Sequence, residues 1–552
     1  MCPRAIFKII QILFGYTDNH PELCHRNLKY NVMRGKIKLT LMALVMMACS
    51  KEGPTSDGNP DYGYFEEQSQ EMIVLGERLE NPYKTENMTK ALQALYPTKS
   101  PSAYLNTTDL YVRFLPANQE EYDQLAALNL KLFDYPLDYD VEVDGDWYHD
   151  PEIPLGNITW QYSVVPVDFD FPDIRYEIID ECYLADDEDT KSGIDWSLVE
   201  RCAYEMTGNG NMLLPQSRAA DTRPKGRITI VDKHYNNGKA IGVSGVNISC
   251  NSFVKCDDTY TDANGYYEMS KKFSAELKYR MIFENKKNFS IGFNLVLVPA
   301  SVSALGKAPA AGLTMTVTKD SPEKLYKRCA VNNAIYDYVQ RCSRSDLNID
   351  APPAGLRVWL FHNSKSSSAV MLRQGAVVDN TIFKTFLGEY SGLIKMFLPD
   401  ITLGVKDADD YRQIYDLTVH ELAHASHFSR VGVNYWDKYI QYMCKSFFKS
   451  GGKNYGDGKT AGAGYCEVAE MWAYYMQSLM YKGRYGGDFP TAGNSYWFKP
   501  EILRYLHKNG LSCSDMFLAM DASVDSRSDL EKALLAKFPS KKSKITQAFD
   551  KY

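Results

Sequence analysis

His420-Glu421-Leu422-Ala423-His424, entered through Tyr411-Arg412-Gln413-Ile414-Tyr415-Asp416-Leu417-Thr418-Val419, is the stretch whose reading decides the C-terminal half of this chain. Apolar residues at Ile414, Leu417, Val419, Leu422 and Ala423, with no Pro or Gly before Gly432, predict a helix over about 409–428. Asp407, Asp409 and Asp410 crowd its start, where carboxylates complement the exposed N–H groups and the helix dipole. Residues four apart on a helix lie about 40° apart around the axis and about 6 Å apart along it. His420 and His424 can therefore direct both imidazoles at one ion. Glu421 then projects beside a metal-bound water, as the carboxylate that takes its proton.

A catalytic zinc takes three protein ligands and keeps a position open for water, so a third ligand has to be found. His427 shares the helical stripe but lies about 10 Å along the axis from His420, too far for zinc–nitrogen bonds of about 2.1 Å from one straight helix. It reads as pocket wall, as support behind a ligand, or as a surface histidine. The extended pattern H-E-x-x-H-x-x-G-x-x-H fails, because His427 stands where it has Gly and Arg430 where it has its last His.

Downstream, Tyr465-Cys466-Glu467-Val468-Ala469-Glu470-Met471-Trp472-Ala473-Tyr474-Tyr475-Met476 reads as a second helix with two acids among apolar neighbours. A carboxylate in such company needs compensation of its charge, and a zinc ion provides it. These residues resemble the gluzincin metallopeptidases, in which H-E-x-x-H is completed by a Glu on a following helix, commonly E-x-x-A. Glu470-Met471-Trp472-Ala473 matches that phrase. The long separation from His424 is similar to the lethal-factor-type branch, with an insertion between the helices. The resemblance implies one Zn²⁺ per chain held by His420, His424 and Glu470, with Glu467 supporting a ligand or replacing Glu470. It also implies a Tyr or His that donates to the developing oxyanion. Tyr474 and Tyr465 are the candidates, with Tyr455 and Tyr485 nearby, in a sequence with 39 Tyr.

Upstream, 356–362, 369–372 and 400–405 are short β-rich runs. In zincin folds a small sheet precedes the active-site helix, and Ile401–Val405 is either the edge strand that pairs with an extended peptide or an ordinary connecting strand. Residues 321–343 carry near-helical spacing and read as a packing helix.

The amino end speaks to location. Met33-Arg34-Gly35-Lys36-Ile37-Lys38 is a basic stretch and Leu39 to Ala48 an apolar core of ten residues, too short to span a bilayer as a mature helix. It reads as an export signal with the true start at Met33. Met46-Met47-Ala48-Cys49 resembles a bacterial lipobox, which implies lipidation at Cys49, although Met46 departs from the usual Leu and leaves ordinary cleavage open. Residues 50–60 then form a flexible tether. Hydrophobic residues at 45%, aromatics at 13% and a net charge of −7 describe a folded chain without the basic field that nucleic-acid binding needs.

Between about 225 and 300, strand-like runs at 226–232 and 241–248 and the turn Thr261-Asp262-Ala263-Asn264-Gly265-Tyr266-Tyr267 read as an all-β sandwich. The phrase resembles the carboxypeptidase regulatory-like domain, a transthyretin-type fold, with Asp262 and Asn264 serving the turn. Residues 110–114 and 160–165 read as strands and 119–132 as a helix of an α+β region. Asp186-Asp187-Glu188-Asp189 reads as a solvated loop more readily than as a Ca²⁺ site. The exported setting permits disulfides, and Cys250–Cys256, Cys329–Cys342, Cys182–Cys202 and Cys444–Cys466 are possible pairs.

The expected organisation is multidomain: a signal region (1–48), lipidated Cys and tether (49–100), an α+β region (101–224), a transthyretin-like sandwich (225–300) and a mostly α, zincin-type α+β domain (301–552). The expected protein is an exported, lipid-anchored zinc metallopeptidase of the bacterial cell envelope acting on peptide or protein substrates. Two alternatives stand beside it. One is an inactive zincin scaffold that captures peptide or glycan, against which the intact Glu421 argues. The other is a zinc hydrolase of glycoproteins, suggested by the attached sandwich.

Overall fold

The computed structural model describes residues 72–97, 104–154, 157–185, 193–214, 223–292, 300–362, 364–376, 399–449 and 455–552. The expected export segment, Cys49, the tether and the acidic run at 186–189 lie outside the described residues. What is described is a mixed α/β structure with several sheets. Among the described residues no helix is long and apolar enough to cross a membrane.

The N-terminal strands Gln161–Pro166, Asp109–Phe114 and Tyr176–Cys182 form an antiparallel sheet in that order. The central strand buries Leu110, Tyr111, Val112 and Phe114. The helix expected over 119–132 stops at Ala127, because Asn129 takes a left-handed φ of 56°, a conformation Asn tolerates and a helix does not.

The β-rich middle divides its strands between two sheets. Lys225–Ile230 pairs with Tyr266–Glu268, Ile241–Gly242 and Met315–Val317. The run expected as one strand over 241–248 is broken. Gly245 turns at φ +68°, where a Cβ would meet Asn285 and Tyr336, and Val246–Ser252 departs into the other sheet. The backbone groups freed by this break need partners, and three asparagines supply them, Asn285 among them with a bond to the Ser244 carbonyl at 2.8 Å. Asn333 accepts from the Ser244 N–H at 2.9 Å and donates to the Gly242 carbonyl at 2.7 Å, while Asn332 donates to the Ser244 carbonyl at 3.0 Å. Asp262 holds the turn as read: its Oδ1 accepts from the N–H groups of Asn264 and Tyr266, both at 2.8 Å.

The second sheet, eight-stranded among the described residues, runs across residue 300. Leu277–Asn285 pairs with Phe289–Ile291, which lies parallel to Leu356–Phe361, which in turn lies parallel to Ile401–Gly404. The β-rich middle and the region of the H-E-x-x-H motif thus share one hydrogen-bonded ladder and one buried apolar cluster. Ile401–Gly404 is not the edge strand. Ser368–Ala369 pairs outside it, and the Ser367 Oγ accepts from the Gly404 N–H at 3.1 Å. Helix Glu323–Cys342 packs on the motif helix and buries most of its length, as its spacing led us to expect.

The described cysteines are free thiols, contrary to the expected pairings, and for two of the pairs geometry gives the reason. Cys250 sits opposite Asp257 and Cys256 opposite Asn251, a one-residue offset that sends the two side chains to opposite faces. Cys329 and Cys342 share one helix and stand about 20 Å apart along it, where a disulfide requires Cα atoms within about 7 Å. The Cys444 side chain lies outside the described residues, and Cys466 is buried.

A buried ion pair joins the β-rich middle to the far end of the second motif-bearing helix. Arg484 meets Asp232 at 3.0 Å with both side chains buried, and Tyr485 donates to the same carboxylate at 2.9 Å. The guanidinium also faces the rings of Tyr235 at 4.0 Å and of Tyr411 and Tyr415 at 4.9 Å. Removing one partner of such a pair strands the other charge away from water. Arg484→Met is therefore expected to lower unfolding free energy by about 3–5 kcal/mol in urea titration, and a loss under 1 kcal/mol would contradict this reading.

Candidate metal centre

The motif helix spans Tyr411–Val431, and its start is a capping box: Asp410 accepts from the Gln413 N–H at 3.0 Å, and the Gln413 side chain accepts from the Asp410 N–H at 3.2 Å. Gly432, at φ +79°, ends it. The second helix is longer than its apolar core suggested, spanning Ala463–Tyr485. Trp472 donates from Nε1 to the Ala423 carbonyl at 3.2 Å, pinning the two helices together at the level of the motif.

This packing brings His420, His424 and Glu470 together. Their ligand atoms lie within 4.8 Å of one another, and all three side chains are buried. The Glu470 carboxylate straddles the histidines, with Oε2 3.5 Å from the His420 Nε2 and Oε1 3.4 Å from the His424 Nε2. Ligands about 2.1 Å from a tetrahedral zinc stand about 3.4 Å from each other, so the spacing suits such an ion. The donor chemistry does too: Glu470 Oε2 is buried and has no hydrogen-bond partner among the described residues, a costly state for a carboxylate oxygen unless a cation meets it. Burial opposes ionisation of Glu470, yet His424 and His420 beside it hold its carboxyl well below the usual range. Glu421, also buried, follows His420 directly on the motif helix.

Glu467 is turned elsewhere. Its Oε2 accepts from the Arg527 N–H at 3.2 Å, at the first turn of helix Arg527–Lys537. Tyr465 is also remote: its hydroxyl accepts from Lys438 Nζ at 3.0 Å and its ring packs on Tyr435. Tyr474 stands against the site, with its ring 4.5 Å from that of His420 and edge-on to it. Burial first, and Glu470 second, push its phenol well above the ordinary value, so it stays a proton donor. Tyr485 belongs to the Arg484 cluster, and Tyr455 packs with Tyr496 and Phe498, its phenol pushed well above the ordinary value by burial first and by Glu470 second.

Two supports were not singled out from the sequence. The stretch read as an insertion is a helix, Val433–Lys449, and its Tyr439 donates to Glu470 Oε1 at 2.9 Å. Trp436, one turn earlier, donates to the Ala369 carbonyl at 3.0 Å and so ties this helix to the sheet edge. Tyr435, Trp436, Tyr439, Ile440 and Met443 repeat at helical spacing and were the available signal. The other support is Gln477, whose Oε1 lies 3.0 Å from His420 Nδ1 and whose Nε2 donates to Asp416. Gln477 is seven residues after Glu470 and Asp416 four before His420, each on the face its helix turns to the site.

His427 is neither a ligand nor a surface residue. It is fully buried against Tyr435 and Trp436, and both ring nitrogens lack hydrogen-bond partners among the described residues. Burial, with His424 adding to it, pushes its pKa down to about 3. The folded state thus holds this ring neutral while the unfolded chain protonates it near pH 6.5, so its contribution to stability is complete above pH 6.5 and is lost as pH falls towards 3. At pH 3 the loss is on the order of 4 kcal/mol. His427→Phe should remove this term, leaving unfolding free energy less steeply dependent on pH between 6.5 and 3. Equal acid sensitivity in the two proteins would oppose the assignment.

Comparison of the chain with protein-family models, with curated proteins and with solved structures finds no match.

Proposed function

We propose that this chain is a zinc metallopeptidase, exported and lipid-anchored at the bacterial cell envelope. The observation that carries the reading is the convergence of His420, His424 and Glu470 beside Glu421. A bound zinc supplies Lewis-acid polarisation of a scissile carbonyl and makes water acidic enough to deprotonate near neutral pH. Glu421 takes the proton from the attacking water and delivers it to the leaving amine. Tyr474, a neutral phenol whose ring packs against that of His420, is the donor assigned to negative charge on the carbonyl oxygen in preference to Tyr465, whose hydroxyl is engaged by Lys438. Tyr439 and Gln477 orient Glu470 and His420, and the buried setting strengthens each of these interactions. The envelope location rests on the signal-like run ending at Cys49. Its expected contacts are peptide or protein substrates and, through the lipid, a membrane.

The test is exposure of a defined peptide library to the purified chain, with cleavage sites mapped by mass spectrometry. Cleavage that a chelator stops and zinc restores supports the reading. Cleavage indifferent to the chelator, or none across the library with zinc supplied, overturns it.

A further inference from the structure

The link from Asp416 through Gln477 to His420 carries more than packing, because hydrogen-bond chemistry leaves it one consistent orientation. An ionised carboxylate only accepts, so Asp416 requires the amide NH₂ of Gln477 to face it. That turns the amide oxygen towards His420 Nδ1, 3.0 Å away, and an amide oxygen also only accepts. Nδ1 must then carry a proton, and the neutral ring keeps its lone pair on Nε2, the atom that faces Glu470. We propose that Gln477 is a positioning residue that, held by Asp416, selects the Nδ1–H tautomer of His420 and so presents Nε2 as a ready metal ligand.

Three features support this role over plain packing. Gln477 is buried, so turning its amide over would place like groups against each other with no water to compensate. The three residues come from two helices: Asp416 and His420 are successive turns of the motif helix, and Gln477 reaches across from the helix that also carries Glu470. The ring nitrogen and the carboxylate are thus set by the same pair of elements. An amide between acid and imidazole also differs in effect from a carboxylate placed directly on the ring. It fixes the tautomer without drawing the Nδ1 proton towards an anion, leaving the ring a weaker electron donor than a directly paired histidine.

The inference rests on the metal-site reading but not on catalysis, and its test separates the two. Zinc dissociation constants would be measured by chelator competition for the wild type, Gln477→Met and Asp416→Asn, with thermal unfolding of the metal-free proteins alongside. Gln477→Met keeps the volume and removes both hydrogen bonds. It should weaken zinc binding about 10–100-fold, the usual effect of losing an outer support. Asp416→Asn should weaken it less, because Gln477 can then turn either way. In the metal-free wild type at pH 9, nitrogen NMR should show the His420 proton on Nδ1. A proton on Nε2 there, or a folded Gln477→Met protein that binds zinc as tightly as wild type, overturns the proposal. If the wild type binds no zinc at all, the metal-site reading fails instead, and the NMR result still decides the tautomer.

Discussion

Glu421→Gln is expected to abolish peptide cleavage while the zinc stays bound. The substitution keeps the shape of the side chain and removes its capacity to take a proton, so the loss should match what a positioned general base contributes, about 10²–10⁴-fold in kcat. Glu421 is adjacent to His420 in sequence but does not belong to the set whose ligand atoms converge, so metal content should not follow activity down. Turnover on the best library peptide, measured beside zinc stoichiometry of the same preparation, separates the two effects. Activity equal to wild type would remove Glu421 from the chemistry. Loss of zinc along with activity would mean that the acid supports the site and is not its base.

The second large effect is expected at Glu470. Glu470→Ala removes the carboxylate that lies 3.4 and 3.5 Å from the two imidazole nitrogens, together with its hydrogen bond from the Tyr439 hydroxyl. Zinc affinity should fall by well over the roughly 100-fold that marks the loss of an outer support. Glu467→Ala is the control, on the same helix one turn away. Its carboxylate meets the Arg527 N–H, so its loss should cost about 1 kcal/mol of stability, as for a lost helix cap, and leave zinc affinity within about tenfold of wild type. The reverse pattern, zinc lost with Glu467 and kept without Glu470, would exchange their roles.

How far the sequence revealed this arrangement depended on whether a signal was local. The motif helix was legible because its apolar period, its acidic start and Gly432 all lie within one stretch, and Asp410 does cap it. Residue type and spacing marked Glu470 as one of two acids on the following helix, and the resemblance to E-x-x-A favoured it over Glu467. Choosing between them takes the crossing of two helices, which Trp472 fixes through Ala423 and no spacing encodes. Tyr439 was hidden because its helix was read as an insertion, and because one Tyr among 39 is no signal without a partner. Gln477 and Asp416 are neutral and acidic residues on otherwise ordinary helical faces, and only the closing of the hydrogen bonds marks them.

The fold shows the same division. Single strands such as Asp109–Phe114 and Leu356–Phe361 were read close to their true limits, since alternation and β-branched content are local. Which strands pair is not local. The run expected over 369–372 forms a strand only at Ser368–Ala369, with Met371 turning at a left-handed φ of 53°, and its pairing outside Ile401–Gly404 takes the edge that periodicity alone could not assign. Val302–Ala308 pairs with Leu277–Asn285 across residue 300, while the link onward to Leu356–Phe361 runs through the three-residue Phe289–Ile291, below the length at which a pattern can be read. The need for glycine at the Gly245 break comes from Asn285 and Tyr336, which leave no room for a side chain there and lie 40 and more positions away.

The measurement that bears most directly on the central claim is the zinc content of the purified wild-type chain after equilibration with the metal and removal of excess. One zinc per chain, lost in His420→Ala, is the expected result. A wild-type chain that holds no zinc under these conditions contradicts the account.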